Sequence, residues 1–111
     1  MQTRSFSVSG ASVQTVSDAL ADALEVTALV KHGDVVVLCH EKYYLRIDSN
    51  LMSTIVMSQV SETKCMVDIV TGGGKQGFLG TSFGAEKKNT GVVADKLREI
   101  CDELELYIEA V

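Results

Sequence analysis

The chain has 111 residues, 46% of them hydrophobic and 23% charged, and this length suits one domain, residues 1–111, with a single hydrophobic core. A net charge of −5 disfavours nucleic acid as a partner, because binding to phosphates needs clustered Lys and Arg. Neither a signal peptide nor the roughly 18 apolar residues of a membrane span stands out, which predicts a cytoplasmic protein that does not bind membranes.

The first third of the chain is predicted to form a strand, a helix and a second strand. Apolar and polar residues alternate in "RSFSVSG", which is typical of a short strand with one buried face. Ser12 suits the N-cap of a helix over about 13–25, where apolar residues recur at helical spacing. The β-branched residues of "VTALVKHGD" favour a strand that turns at Gly33.

The middle of the chain is predicted to form an antiparallel meander. After the first strand of the meander, over 34–47, "LMSTIVMSQV" and "KCMVDIVT" indicate two further strands joined by a tight hairpin at "SET". In the first strand a period of two places one row of side chains on one face. This row, which is apolar except at Glu41, comprises Val35, Val37, Cys39, Glu41, Tyr43, Leu45 and Ile47.

The last segment, about 90–109, carries an apolar stripe at helical spacing and is predicted to be an amphipathic helix. The stripe consists of Val93, Leu97, Ile100, Cys101, Leu104 and Ile108. Because a domain is built from packed layers, these elements predict an α+β fold, a two-layer sandwich. Its antiparallel sheet would have four or five strands, with both helices packed on one face.

Apolar residues occur on both faces of the meander strands. In the last of them, Val67 and Ile69 lie on one face and Met66 and Val70 on the other. One helix layer cannot cover both faces, and a second apolar surface is typical of association or of a ligand cleft. The simpler hypothesis is a homodimer formed through the sheet, since two-fold pairs are the commonest oligomers. The alternative is that a loop at 72–88 folds across this face.

The glycine-rich stretch "DIVTGGGKQGFLGTSFG" matches known nucleotide-binding motifs only in part. Glycines at 72, 74 and 77 satisfy GxGxxG and follow a predicted strand, but no helix opens directly afterwards and no parallel strand follows. The GKS or GKT ending of a phosphate-binding P-loop is also missing. Backbone N–H groups and a lysine there could still hold a small anion, whereas the structural alternative is a bulge or a positive φ. The candidate ligand residues here are Gly72, Gly73, Gly74 and Lys75.

The best set of candidate catalytic residues lies on one strand and comprises His40, Glu41, Tyr43 and Tyr44. Adjacent strand residues point to opposite faces, so His40 and Glu41 do not converge on one substrate. An unpaired carboxylate on an apolar face suits a general acid or base. Pairing with Lys64, Arg46 or a tyrosine hydroxyl, or a bulge that turns the side chain to water, would instead make Glu41 structural. A small enzyme using Glu41 and Tyr43 near the glycines at 72–77 is therefore the second hypothesis.

The cysteines and histidines do not indicate a metal or cofactor site. Cys39, Cys65 and Cys101 lack CxxC spacing and lie in apolar patterns, which predicts buried free thiols that behave as small hydrophobic groups. His32 and His40 stand eight positions apart, without the spacing of paired zinc ligands. We therefore expect neither a metal nor a cofactor.

Three short motifs of the chain resemble those of a known protein family. They are "HEKYYLR" in a central strand, "TGGGKQG" at the end of the meander and "TSFGAE" before the final helix. In this order the chain resembles an uncharacterised family of small bacterial proteins classed as a domain of unknown function. That family has an FGE-like turn, but this chain reads Phe83-Gly84-Ala85-Glu86, and the extra residue removes the basis for a shared role of the glutamate.

The resemblance implies a bacterial cytosolic protein and supplies no catalytic residue. Together with the two-sided sheet, it leads to one functional prediction. The chain is expected to be a self-associating binding or interaction module without catalytic activity, a homodimer through the sheet that has a small ligand as a second candidate partner.

Overall fold

The computed structural model describes the backbone of residues 2–44, 49–73 and 81–111. Side chains are described for residues 2–42, 51–72 and 88–111. Within these ranges the chain folds into one antiparallel sheet of six strands with two helices against one face, so the α+β fold class is confirmed. The sheet has more strands than the four or five that the sequence predicted.

The strands and helices follow one another in an order close to the predicted one. In chain order they are β1 (Gln2–Ser9), α1 (Val13–Ala23), β2 (Val26–His32), β3 (Val35–Tyr44), β4 (Ser49–Ser61), β5 (Lys64–Gly73), α2 (Thr81–Glu103) and β6 (Tyr107–Ala110). Across the sheet their order is β2-β3-β4-β5-β1-β6, so β1 lies between the end of the meander and the last strand.

The predicted N-cap of α1 is confirmed and has an additional partner. The Ser12 side chain accepts a hydrogen bond from the Thr15 backbone N–H at 3.3 Å. The Val13 backbone N–H donates to the Gln59 side-chain oxygen at 2.6 Å, and Gln59 belongs to β4. Two of the N–H groups that a helix start leaves unpaired are thereby satisfied, one of them by the sheet.

The end of α2 differs from the prediction. The predicted helix over 90–109 begins earlier, at Thr81, and ends at Glu103, after which the chain forms β6. Glu105 has φ +56°, the Leu106 N–H donates to the Cys101 carbonyl at 2.7 Å, and the Glu105 N–H donates to the Asp102 carbonyl at 3.2 Å. This bond pair is a Schellman motif, with glutamate at the position where glycine is usual.

The two helices pack on the inner face of the sheet, where cross-strand rows of apolar side chains form the core. One row runs through Val36, Met57, Val67 and Phe6 on β3, β4, β5 and β1. These side chains are buried, as are those of α1 and α2 that pack on them. Burying one such side chain stabilises the fold by roughly 1.5–3 kcal/mol, so these rows supply most of the favourable energy.

The other face of the sheet, the outer face, has no helix on it among the described elements. It carries the row of β3 that the sequence singled out, from Val35 to Glu41, because the alternate row of Val36, Leu38 and His40 points to the helices. Both rows contain apolar residues at most positions, so the strand pattern alone did not decide which row is buried. The packing of the helices decides it.

Candidate functional site

A polar row crosses one end of the inner face. It lies two residues beyond the apolar pair Leu38–Ile55. In this row His40 of β3 lies opposite Ser53 of β4, and Ser53 lies opposite Thr71 of β5. Side chains in such register are about 4.5–5.5 Å apart at Cβ. His40 is 8% exposed, and the Ser53 and Thr71 side chains are fully buried. The inner face therefore changes from apolar to polar within one step of the pleat.

Two side chains of helix α2 form hydrogen bonds with this polar row. The Asn89 side-chain amide donates to Ser53 Oγ at 2.7 Å, and the Thr90 hydroxyl donates to Thr71 Oγ1 at 2.7 Å. Ser53 Oγ and Thr71 Oγ1 are also 2.7 Å apart and share a hydrogen bond. We call Ser53, Thr71, Asn89 and Thr90 the polar cluster. All four are buried, so no solvent competes for these bonds.

The hydrogen bonds of the polar cluster depend on one another. Whichever of Ser53 and Thr71 donates in their shared bond, the Thr90 hydroxyl occupies one lone pair of Thr71 and the Asn89 amide one lone pair of Ser53. A hydroxyl without a partner at such a depth costs about 1–3 kcal/mol. The cluster therefore ties the first half of α2 to β4 and β5 at a defined height and rotation.

His40 is held in one orientation by a backbone group. Its Nδ1 lies 2.9 Å from the Glu25 carbonyl oxygen, just after α1. A carbonyl can only accept, so Nδ1 carries the hydrogen, and in the neutral ring Nε2 is then the acceptor. Among the described residues no partner of Nε2 is found.

An open cleft of about 380 Å³ lies beside His40, between the end of α1, the strand β3 and Val92 of α2. It is lined by Ala23, Leu24, Glu25, His40, Glu41, Lys42 and Val92. Val92 is on the same turn of α2 as the polar cluster, so the cleft and the cluster occupy the same end of the inner face. This volume lies within the usual range for small-molecule sites.

The candidate residues taken from the sequence do not gather at this cleft. Glu41 has an exposed side chain and lines the edge of the cleft. In the strand register Glu41 lies opposite Met52 of β4, and Met52 lies opposite Gly72 of β5. Glu41 and Gly72 thus share a cross-strand row two strands apart, roughly 10 Å. Tyr43 is in β3, and its side chain lies outside the described residues.

The glycine-rich stretch begins inside the sheet. Gly72 and Gly73 are the last residues of β5, paired with Met52 and Leu51 of β4. Gly74 and Lys75 lie outside the described residues, and so does the predicted anion site that includes them. The first two glycines of the triplet are therefore strand residues. A glycine there leaves the pleated surface without a side chain.

The polar cluster was not among the candidates from the sequence, although a signal for it was present. Ser53 alternates with Leu51 and Ile55, and Thr71 follows Val67 and Ile69 at the same period of two. A hydroxyl in a core-facing row needs a buried partner. The partners, Asn89 and Thr90, come from a part of the chain where we predicted the start of a helix but not its orientation.

The outer face is divided into an apolar and a polar half. We call the part on β2, β3 and β4 the apolar half; one of its rows runs through Val30, Val37 and Val56. That row continues to Asp68 of β5, whose carboxylate accepts a hydrogen bond from the Ser5 hydroxyl of β1 at 2.6 Å. Among the described residues, Val30 is 47% exposed and Met52 is 43% exposed, so the apolar half is open to solvent.

Comparisons with known proteins add no function. The sequence was compared with protein-family models and with curated proteins, and neither comparison finds a match. The resemblance to a small bacterial family stays a prediction. In the described part of the chain, no helix has the length and hydrophobicity to cross a membrane, and no three His, Cys, Asp or Glu side chains group as metal ligands.

Proposed function

We propose that the protein is a self-associating interaction module that forms a homodimer through the outer face of its sheet. The observation that supports this proposal is the apolar half of that face, with Val30 and Met52 over two-fifths exposed in the described structure. A sheet with helices on one face commonly turns a polar face to water. Here apolar side chains occupy that place, and a second copy of the chain would remove them from solvent.

The size of the outer face suits a dimer. Six strands spaced about 4.8 Å apart, with about eight residues each, present a face of roughly 750 Å². A stable interface of standard size buries about 800 Å² on each partner. The apolar half alone is smaller than that, so a stable dimer needs the polar half on β1 and β5 as its rim.

The pattern of the face also favours one arrangement of the two copies. A two-fold axis that lies between the sheets and perpendicular to the strands would place β2 to β4 of one copy over the same strands of the other. Apolar side chains would then meet apolar side chains, and each Asp68–Ser5 pair would lie toward the rim. An axis parallel to the strands through the middle of the sheet would set the apolar half against the polar half, burying Asp68 against apolar side chains.

The test is the mass of the native protein. Native mass spectrometry and analytical ultracentrifugation should find a dimer in the wild type and a monomer in Val30→Lys and in Met52→Glu, where the new carboxylate would lie opposite Glu41 and have no cation beside it. Each substitution would place two charges in a two-fold interface, and burying unpaired charges is costly. Leu104→Lys is the matched control, because Leu104 is 44% exposed but lies beyond α2 on the helix side, and it should remain dimeric.

A monomeric wild type over the full concentration range would overturn the proposal. The same conclusion would follow if Leu104→Lys dissociated the dimer as fully as the two outer-face variants, because the interface would then lie elsewhere. The bacterial origin and the cytosolic location belong to this proposal as predictions.

The second hypothesis, a small enzyme that uses Glu41 and Tyr43, gains no support from the described residues. The Glu41 carboxylate is exposed, and its cross-strand neighbour Met52 offers no proton to transfer. The supported role is therefore association.

A further inference from the structure

The cleft beside His40 has the properties of a binding site that is separate from the outer face. Its first distinctive feature is a buried acceptor. His40 is 8% exposed, its Nδ1–H is occupied by the Glu25 carbonyl, and Nε2 has no partner among the described residues. A buried polar atom costs free energy unless something donates to it. His40 lines the cleft, so a donor bound there lies beside its ring.

The charges around the cleft indicate the sign of that donor. Glu25 and Glu41 bring two carboxylates to its lining, against one ammonium from Lys42. Lys42 has an interaction of its own within the chain. The whole protein carries a net charge of −5, so its field also attracts cations. A ligand that donates N–H bonds and is positively charged therefore matches this lining.

The remaining lining indicates the shape of the ligand. Ala23 and Leu24 at the end of α1 and Val92 on α2 give the cleft an apolar wall. About 380 Å³ accommodates a small organic molecule but exceeds the size of a single hydrated metal ion's ligand shell. A short aliphatic chain would pack on this wall while its polar end reaches His40.

We propose that this cleft binds a small organic ammonium ion with a short aliphatic chain, whose N–H donates to His40 Nε2. Glu25 and Glu41 supply the opposing charge, and Leu24 and Val92 contact the chain. The proposal does not depend on self-association, because His40, Leu24 and Val92 lie outside the apolar half of the outer face; Glu41, opposite Met52 on the outer face, borders both surfaces. The proposal assigns His40 a binding role, whereas the sequence pattern had placed His40 only among candidate catalytic residues.

The experiment uses n-butylammonium as the probe and butyrate as the probe of opposite charge, at pH 8 and low ionic strength. We expect n-butylammonium to cause saturable shifts in the NMR resonances of His40, Glu25 and Val92, and butyrate to cause none. In His40→Phe the apparent Kd should rise about tenfold or more, which corresponds to the loss of one good contact. His32→Phe is the matched control and should bind as the wild type does.

A second variant keeps the test decisive if His40→Phe does not fold. Glu25→Gln removes one carboxylate while leaving the backbone carbonyl that orients His40, and it should weaken binding several-fold. Glu62→Gln, in the turn between β4 and β5, removes the same charge elsewhere and should have no effect. Equal binding of butyrate, shifts that do not saturate, or equal effects of the two glutamine variants would each overturn the proposal.

Discussion

The centre and one end of the inner sheet face are both buried under helices, but they carry different chemistry. In the centre, rows such as Leu38–Ile55–Ile69 bury hydrocarbon against α1 and α2. One pleat further, His40, Ser53 and Thr71 continue the same strands in the same orientation but carry polar groups. Both regions are buried, and the same helix α2 covers the centre and the polar cluster.

The difference shows what each kind of burial contributes. Dispersion and the hydrophobic effect are non-directional, so the apolar centre supplies free energy without selecting one rotation of α2. Hydrogen bonds depend on distance and angle, so Asn89 and Thr90 satisfy Ser53 and Thr71 in one placement of the helix. The centre therefore stabilises the layered fold, and the polar cluster selects the position of α2 beside the cleft.

The largest expected effect belongs to the apolar centre. Ile55→Ala removes a fully buried side chain, and we expect the free energy of unfolding to fall by about 2–5 kcal/mol because a cavity is added to the lost transfer energy. Urea denaturation monitored by circular dichroism measures it. Leu104→Ala, at an exposed position, should cost below about 1 kcal/mol. A similar loss in both variants would contradict the contrast between buried and exposed sites.

A smaller loss is expected at the polar end. Thr71→Val keeps the shape of the side chain but leaves Ser53 and Thr90 without their shared partner, and we expect a loss of about 1–3 kcal/mol. Thr54→Val, on the outer face of β4, is the matched control and should be nearly neutral. The double variant Thr71→Val/Thr90→Val should lose less than the sum of its two single variants, because both single variants remove the same Thr71–Thr90 hydrogen bond. Strict additivity would mean that the two hydroxyls do not interact.

The smallest effect concerns the thiols of the apolar centre. Burial raises the pKa of the Cys101 thiol from 9.0 to about 11, with Cys65 as the second cause, and burial also raises the pKa of Cys65. Between pH 9 and 11 the unfolded thiol loses its proton and the folded one keeps it, so stability is complete below pH 9 and falls as pH rises. From pH 8 to 10 we expect Cys101 to account for about 1 kcal/mol of this loss.

Urea denaturation at the two pH values checks this effect. Cys101→Ala should show a smaller loss of stability between pH 8 and 10 than the wild type, since it has no thiol to ionise. Cys39→Ala should keep the wild-type slope, because Cys39 is only half-buried whereas Cys65 and Cys101 are buried. An identical slope in all three proteins would show that the Cys101 thiol does not carry the effect.

Much of the fold could be predicted because its signals are local. The cap at Ser12, the turn at Gly33 and the alternation in β1 are properties of short segments, and all three are confirmed. The end of α2 could not be predicted in this way. Leu104 and Ile108 continue a helical stripe, and glutamate at 105 gives no glycine signal for a C-cap, so the sequence favoured a longer helix over β6.

The candidate site was less predictable than the fold. The polar cluster joins Ser53 to Asn89 across 36 positions and Thr71 to Thr90 across 19, and neither separation is a strand or helix period. Glu41 attracted attention as a carboxylate within an apolar row, but that row lies on the outer face. The residue that lines the cleft with a buried acceptor is its neighbour, His40.

The sequence by itself determined the type of most elements and the fold class, because backbone geometry imposes periods of 2 on strands and 3.6 on helices over a few residues. Only the tertiary structure decided which face of each strand is buried, since Val35 and Val36 begin rows of similar hydrophobicity. It also decided that His40 and the polar cluster meet at one end of the sheet. Strand register and helix docking couple residues far apart in sequence, and no local pattern encodes that coupling.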